Sequence, residues 1–257
     1  MNVLAFFAHP DDETILAGGI LALLANSGAK VHYLVATRGE GGEMGEPPLC
    51  SQEELGEVRE KELSCAVQTL NGWSLSLLDY VDPVVQGDQL YAYTEDLEKL
   101  STEVYEVIHS RDIDVLISHG TNGEYGHPAH VITNQAATAS IKKYLASHPD
   151  KPIYFYTAAS SFNGNPKPRL ANQDDPAHII LDVYPVLGQK IAAAMCHRTQ
   201  HALFVRRKSE ELGRKLTVPE VIVHLESLHR VYPPVDGPLD DPLFKLIEKW
   251  EWKQPSL

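Results

Sequence analysis

The sequence predicts an α/β fold: a three-layer sandwich with a mostly parallel sheet and helices on both faces. Three observations predict it. Short, almost wholly apolar runs such as Asn2 to Ala8 (NVLAFFA) and Asp114 to Ser118 (DVLIS) suit strands buried on both faces. Helix-length amphipathic stretches separate these runs, and that alternation favours parallel pairing through crossover helices. Polar, histidine-bearing turns follow two of the strands, at the carboxyl ends where open α/β sheets bind ligands.

The elements follow in order. Strand 2–8 opens the chain, and helix 13–27 is closed by Gly28. Gly18 and Gly19 inside that helix each cost up to about 1 kcal/mol relative to Ala. Close packing against the sheet is one reason to keep them there; a kink is the other. Strand 31–37 (VHYLVAT) leads through the irregular loop Gly39 to Pro48 into helix 52–71. Strand 74–79, helix 95–110, strand 114–118, helix 127–146 and strand 153–158 continue the pattern. Strand 178–183 (HIILDV) and helix 184–197 complete a Rossmann-like order.

At 257 residues the chain fits one large α/β domain. No linker or internal repeat divides it, so residues 1–257 are expected to form a single domain. The motifs lie within 1–200, and 202–257 carries no pattern of its own. The net charge of -13 argues against nucleic acid, whose phosphates demand clustered Lys and Arg. Arg206-Arg207-Lys208 reads as a solvated helix face. Cys50, Cys65 and Cys196 are scattered and make no disulfide framework. The chain begins on its first strand rather than a charged leader, and Ile15 to Ala25 is too short to span a bilayer. Cytoplasmic residence is the expectation. Trp250 and Trp252 near the end either cover a pocket or join subunits of a homo-oligomer.

The chemistry concentrates at His9-Pro10-Asp11-Asp12-Glu13, directly after the first strand. Crowded carboxylates repel and raise each other's pKa unless a cation relieves them. Helix capping explains one or two of the acids but not the imidazole as well. The run from His119 to His130 (HGTNGEYGHPAH) repeats the layout: strand, glycine-rich turn, then a His-x-x-His pair opening a helix. His127 and His130 share one helical face and can reach one cation. In a chain of twelve histidines such a pair is weak evidence alone; two strand-end motifs together point to a metal site.

Other chemistries fare worse. The glycine stretch 39–45 does not give Gly-x-Gly-x-x-Gly, because Met44 takes the third position, and Glu40 and Glu43 would repel a pyrophosphate. No Gly-x-Ser-x-Gly elbow of a serine hydrolase occurs. An oxygen-only Mg²⁺ or Ca²⁺ site fits poorly with two or three imidazoles. A non-catalytic sugar- or nucleotide-binding α/β domain, its acidic turn a helix cap, stands as the alternative class.

AHPDDE with GHPAH resembles the PIG-L/LmbE-like family of metal-dependent N-acetylglucosaminyl N-deacetylases. Ala36 to Glu40 (ATRGE), the Arg59-Glu60 helix ending at Leu70-Asn71-Gly72, Asn122 to His127 (NGEYGH) and Lys190 to Gln200 (KIAAAMCHRTQ) match in order. The resemblance implies hydrolysis of the N-acetyl amide of an amino-sugar conjugate, or of a larger acyl group on a thiol conjugate. It implies His9, Asp12 and His130 as ligands of one zinc ion per chain, with iron(II) an alternative. Asp11 is implied as the general base for water, and His127 as stabiliser of the oxyanion or proton donor. Spacing alone also allows His127 as the ligand and His130 as the helper. Tyr125 matches a tyrosine able to reach the intermediate, or else packs over the glycine turn. Arg38, Arg59 and Asn122 are candidates for substrate binding, with an ion pair to Glu60, Glu62 or another helix acid the competing reading for Arg59. Glu13 either caps the helix or buttresses a ligand imidazole. His119 orients a ligand or is a satisfied buried histidine.

Overall fold

The computed structural model describes residues 1–84 and 89–252. β1 (Asn2–Phe7), β2 (Lys30–Thr37), β3 (Ser74–Tyr80), β4 (Val115–Ser118) and β5 (Tyr154–Ala158) run parallel in one sheet. Between them lie α1 (Asp12–Asn26), α2 (Leu55–Thr69), α3 (Leu97–Ser110), the single turn α4 (Gly123–Gly126) and α5 (Pro128–Ser147). A two-stranded ribbon, β6 (Ser160–Ser161) with β7 (Asn172–Pro176), follows β5. Then come β8 (Ile179–Asp182), α6 (Leu187–Cys196), α7 (His201–Leu212), α8 (Val218–Val221), β9 (Leu225–Tyr232) and α9 (Pro242–Ile247).

The seven-stranded sheet has the order β3-β2-β1-β4-β5-β9-β8. The chain winds outward from β1 to β3, then returns to place β4 on the other side of β1. A crevice therefore opens between the carboxyl ends of β1 and β4, the position at which such sheets take ligands. Alternation along β1 separates two cores. Val3, Ala5 and Phe7 face α1, α2, α6 and α9, while Leu4, Phe6 and Ala8 face α3 and α5. Helices thus cover both faces, as the apolar strands require.

The expected strands and helices through β5 are present, with ends shifted by a few residues. Helix 184–197 resolves into a 3₁₀ turn, Tyr184–Val186, and α6. Gly19 has a packing reason: a Cβ there would stand 2.4 Å from Val183 Cγ2. The Glu226 carboxylate also accepts from the amides of Gly19 (2.9 Å) and Ile20 (2.7 Å), and Lys190 Nζ meets it at 2.6 Å.

Three features depart from expectation. β9 was not read from the sequence; it runs antiparallel between β5 and β8. Its residues, LESLHRVY, mix charge with apolar groups and lack the continuous run of a central parallel strand. Second, Cys65 and Cys196 form a disulfide joining α2 to α6 across 131 residues, while Cys50 is free. α2 and α6 become neighbours only once the sheet has wound, so their spacing carried no sign of it. Third, the tryptophan segment neither covers the crevice nor stands free. Glu251 bridges Leu181 and the Trp252 amide donates to Ile180 O at 2.7 Å, sealing the edge of β8. Residues 253–257 of the C-terminal stretch lie outside the described residues.

Candidate active site

The first turn of the site is strained. Asp11 has φ 109° and ψ −30°, a conformation that costs a residue with a side chain about 1–3 kcal/mol. It persists because the turn is pinned on every side. The Asp11 amide donates to Glu13 Oε2 at 2.9 Å, and its carbonyl accepts from the amides of Thr14 (3.0 Å) and Ile15 (2.9 Å). Arg59 Nη2 donates to Pro10 O at 2.5 Å and reaches Asp11 Oδ2 at 3.5 Å. The turn drives adjacent carboxylates apart: Asp11 faces Arg59, whereas Asp12 faces the imidazoles. Asp12 Oδ2 accepts from the His9 amide at 2.9 Å and lies 3.2 Å from His9 Nδ1; its Oδ1 lies 3.3 Å from His130 Nε2.

Hydrogen-bond partners assign the tautomers of the second motif. Glu124 is buried, and its Oε2 sits 2.6 Å from His130 Nδ1 and 3.0 Å from His119 Nδ1. A carboxylate accepts, so both Nδ1 atoms carry protons. His130 then presents the Nε2 lone pair to the crevice. His119 Nε2 instead accepts from the Ala8 amide at 3.0 Å, which spends its lone pair and makes its 3.4 Å approach to Asp12 no ion pair. His127, the N-cap of α5, accepts from the Ala129 amide through Nδ1 at 3.2 Å. Neutral His127 therefore carries its proton on Nε2. The ambiguity that spacing left open between His127 and His130 has this physical handle: one offers a lone pair, the other an N–H.

The donor set suits a divalent ion. His9 Nε2 is buried; it makes no well-aligned hydrogen bond among the described residues, though Asp82 Oδ1 lies 3.3 Å away. Ring nitrogens of His9, His127 and His130 lie within 4.8 Å of one another, and so do ligand atoms of Asp12, His119 and His130. Two ligands each about 2.05 Å from one tetrahedral zinc stand about 3.3 Å apart, the separation found between Asp12 Oδ1 and His130 Nε2.

Without a cation the cluster shares protons instead. Burial works to lower His9, but Asp12 and Asp82 raise it to about 9; His130 rises to about 10 against burial through Asp12 and Glu124. Burial pushes His127 down to about 3, helped by the charge of His130 and His9. Burial and these neighbouring charges therefore favour the neutral form of His127. Burial raises Asp11 to about 7, opposed by Arg59 and aided by Asp12. A carboxylate so placed is matched to general-base work near neutrality. The negative charges of Asp12 and Asp11 help hold the Tyr125 phenol protonated. The Tyr125 ring is exposed and stands edge-on to His127 and His130, 5.7 Å from each centroid.

The three substrate-binding candidates are not brought together. Arg38 pairs with Glu60 at 2.7 Å on the outer side of α2. Arg59 is 3 % exposed and committed to Pro10 O, Gly39 O and Asp11. Its ion pair is with Asp11, and not with Glu60 or Glu62. Gly39 and Gly42 make room for it, since a Cβ would stand 2.2 and 2.3 Å from Arg59 Nη1. That explains the glycine-rich loop without any phosphate. Asn122 donates to Asp174 Oδ2 (2.6 Å) and accepts from the Asp174 amide (2.9 Å), stapling the turn to β7.

Sequence reasoning missed Asp82, whose Oδ1 is 3.3 Å from His9 Nε2. An acid just past a third strand end was its signal. The role of Glu124 was also missed, because its partners come together only when α4 bends back; Glu124 itself has φ 60°. The Glu13 side chain touches no ligand candidate: it caps the start of α1 by accepting from the amide of the N-cap Asp11, and lies 3.0 Å from His197 Nε2.

Known proteins resemble this chain in sequence and in fold. A bacterial relative, 1D-myo-inositol 2-acetamido-2-deoxy-alpha-D-glucopyranoside deacetylase of Kineococcus radiotolerans, is 26 % identical over 93 % of this chain and 80 % of its own length. Two solved structures share the fold at TM-score 0.62. One is GalB, the 4-carboxy-2-hydroxymuconate hydratase of Pseudomonas putida KT2440, at 20 % identity, covering 93 % of this chain and 99 % of that one. The other is the N,N'-diacetylchitobiose deacetylase of Pyrococcus horikoshii, at 18 % identity, covering 90 % and 83 %. One architecture hosts both hydration and deacetylation, so fold alone does not name the reaction. The family model for PIG-L, GlcNAc-PI de-N-acetylase, matches residues 4–141, which span β1, the Asp11–Asp12 turn and the His127–His130 helix: the chain belongs to the PIG-L family.

Proposed function

We propose that the protein is a zinc-dependent hydrolase, one domain throughout, that removes the acetyl group from an N-acetylglucosamine-type conjugate and releases acetate and a free amine. What supports this reading is the closeness of His9, Asp12 and His130 to one another, with Asp11 and His127 beside them in the same two turns. A divalent ion held by the last three supplies Lewis acidity, making water a stronger acid and polarising a carbonyl; iron(II) would accept the same ligands. Asp11 takes the proton of the attacking water. His127 Nε2–H, with the Tyr125 hydroxyl beside it, donates to the oxygen of the tetrahedral intermediate. The proton held by Asp11 then passes to the leaving nitrogen, and the C–N bond breaks.

The substrate is a small molecule. With Arg38, Arg59 and Asn122 engaged internally, Asp82 and Tyr125 are the side chains we assign to the sugar. Among the described residues no helix is long and apolar enough to cross a membrane. We place the protein in the cytoplasm, where the Cys65–Cys196 disulfide faces a reducing pool. Subunit association is left to sizing in solution. The test is release of acetate by zinc-loaded protein from a panel containing a GlcNAc–inositol conjugate, N,N'-diacetylchitobiose, free N-acetylglucosamine and a GlcNAc thiol precursor. Acetate and amine in equal amounts from at least one member, abolished by a chelator, support the reading. Folded, metal-loaded protein that releases none contradicts it.

A further inference from the structure

A closed circuit of contacts runs from the Asp11 turn through two distant parts of the chain and back. Glu13 is fully buried. Its Oε2 accepts from the Asp11 amide (2.9 Å), and its Oε1 accepts from Thr14 Oγ1 (2.5 Å) and meets His197 Nε2 (3.0 Å). Because a carboxylate only accepts, His197 Nε2 carries the proton. His197 is also fully buried and ends α6, some 180 residues from the turn it supports. Two residues on, the Thr199 amide and hydroxyl donate to Glu62 of α2 at 2.9 and 2.7 Å. Three residues before Glu62 on that helix is Arg59, whose guanidinium grips Pro10 O and Asp11 Oδ2.

We propose that Glu13 and His197 are positioning residues that hold Asp11 in its positive-φ turn, and so hold the general base at its working place. Neither touches the ligand candidates His9, Asp12 or His130. The backbone at Asp11 is where a side chain-bearing residue relaxes unless something prevents it. Glu13 prevents it by capturing the amide, and His197 fixes Glu13 from the opposite side. Relaxation would swing the Asp11 carboxylate off Arg59 and away from the water it serves, with little change at Asp12. The proposal rests on the deacetylase reading for its kinetic consequence, but not for its structural one.

The test compares Glu13→Ala and Glu13→Gln with wild type, all zinc-loaded. A displaced base predicts that Glu13→Ala lowers kcat by about 10²-fold, with KM and zinc content unchanged. Glu13→Gln restores most of the rate, because its amide oxygen still accepts from the Asp11 amide. In a crystal structure of Glu13→Ala, Asp11 leaves the positive-φ region. Should that variant not fold, His197→Leu, which removes the imidazole donor and keeps the volume filled, carries the same expectations. An Asp11 that keeps its turn in the variant overturns the proposal, as does wild-type kcat, or a rate loss matched by loss of zinc. If wild type itself proves inactive on every conjugate, the deacetylase reading fails while the crystallographic outcome still decides this one.

Discussion

At Asp11 and Asp12, two identical side chains one residue apart are given different work by their surroundings. Asp11 sits against Arg59 with its pKa raised by burial; Asp12 is held well below the carboxylate range, against burial, by His130. Changing Asp11→Ala should abolish turnover while zinc analysis still finds one ion per chain, whereas Asp12→Ala and His9→Ala should lose the ion. Normal deacetylation by Asp11→Ala would rule out the base. A second residue tests burial away from the crevice. Lys167 lines a cavity with Ile15, Phe162 and Glu226, and burial, then Lys190, pushes its amine down to about 8. An unfolded lysine keeps its proton to about 10.4. Between those values the unfolded chain binds more protons, so this group's contribution to stability rises as pH climbs from 8 to about 10.4. Denaturation midpoints across that window should rise for wild type relative to Lys167→Met; parallel curves would refute the burial. Residue types were legible wherever a strand end announced them, as at His9, Asp12 and His130. Partnership was not, because Glu124, His197 and Asp82 act through neighbours that are distant in sequence.

Elements built on hydrophobic period were read correctly because burial on both faces leaves one pattern, a short apolar run. β9 escaped since an antiparallel strand near the sheet margin tolerates charge, and Glu226 and Arg230 within it are satisfied by Lys190 and Asp241. Glu226 ties β9 to α1 through the Gly19 and Ile20 amides and to α6 through Lys190. Both side chains are almost wholly buried. Replacing Lys190→Met would leave the carboxylate without its counter-charge and should cost about 3–5 kcal/mol. Urea titration reads this directly. A loss below about 1 kcal/mol would mean that the Gly19 and Ile20 amides suffice for Glu226.

For the molecule as a whole, winding order explains both the crevice and its supports. Reversal between β1 and β4 puts the two histidine-bearing turns side by side, and the return of β8, α6 and β9 brings His197 under the first of them. The disulfide ties α2 to α6 at the rim of this arrangement. Reduction should lower stability by about 2–4 kcal/mol, and Cys65→Ser should show the same loss with no further response to reductant. Identical midpoints with and without reductant would show that the link is not formed in solution. The family and its strand-end histidines and carboxylates could be seen in the linear sequence; the ring of contacts around the Asp11 turn could not, since it closes only in three dimensions.

Everything in the functional account turns on where the cation sits. A crystal structure of zinc-loaded protein, with the ion placed by anomalous scattering, answers this most directly. The account predicts one ion about 2.0–2.2 Å from the side chains of His9, Asp12 and His130, with His127 Nε2 and Asp11 facing it but not bound. An ion ligated by His127 or His119 in place of His130, or none at this crevice, would contradict it.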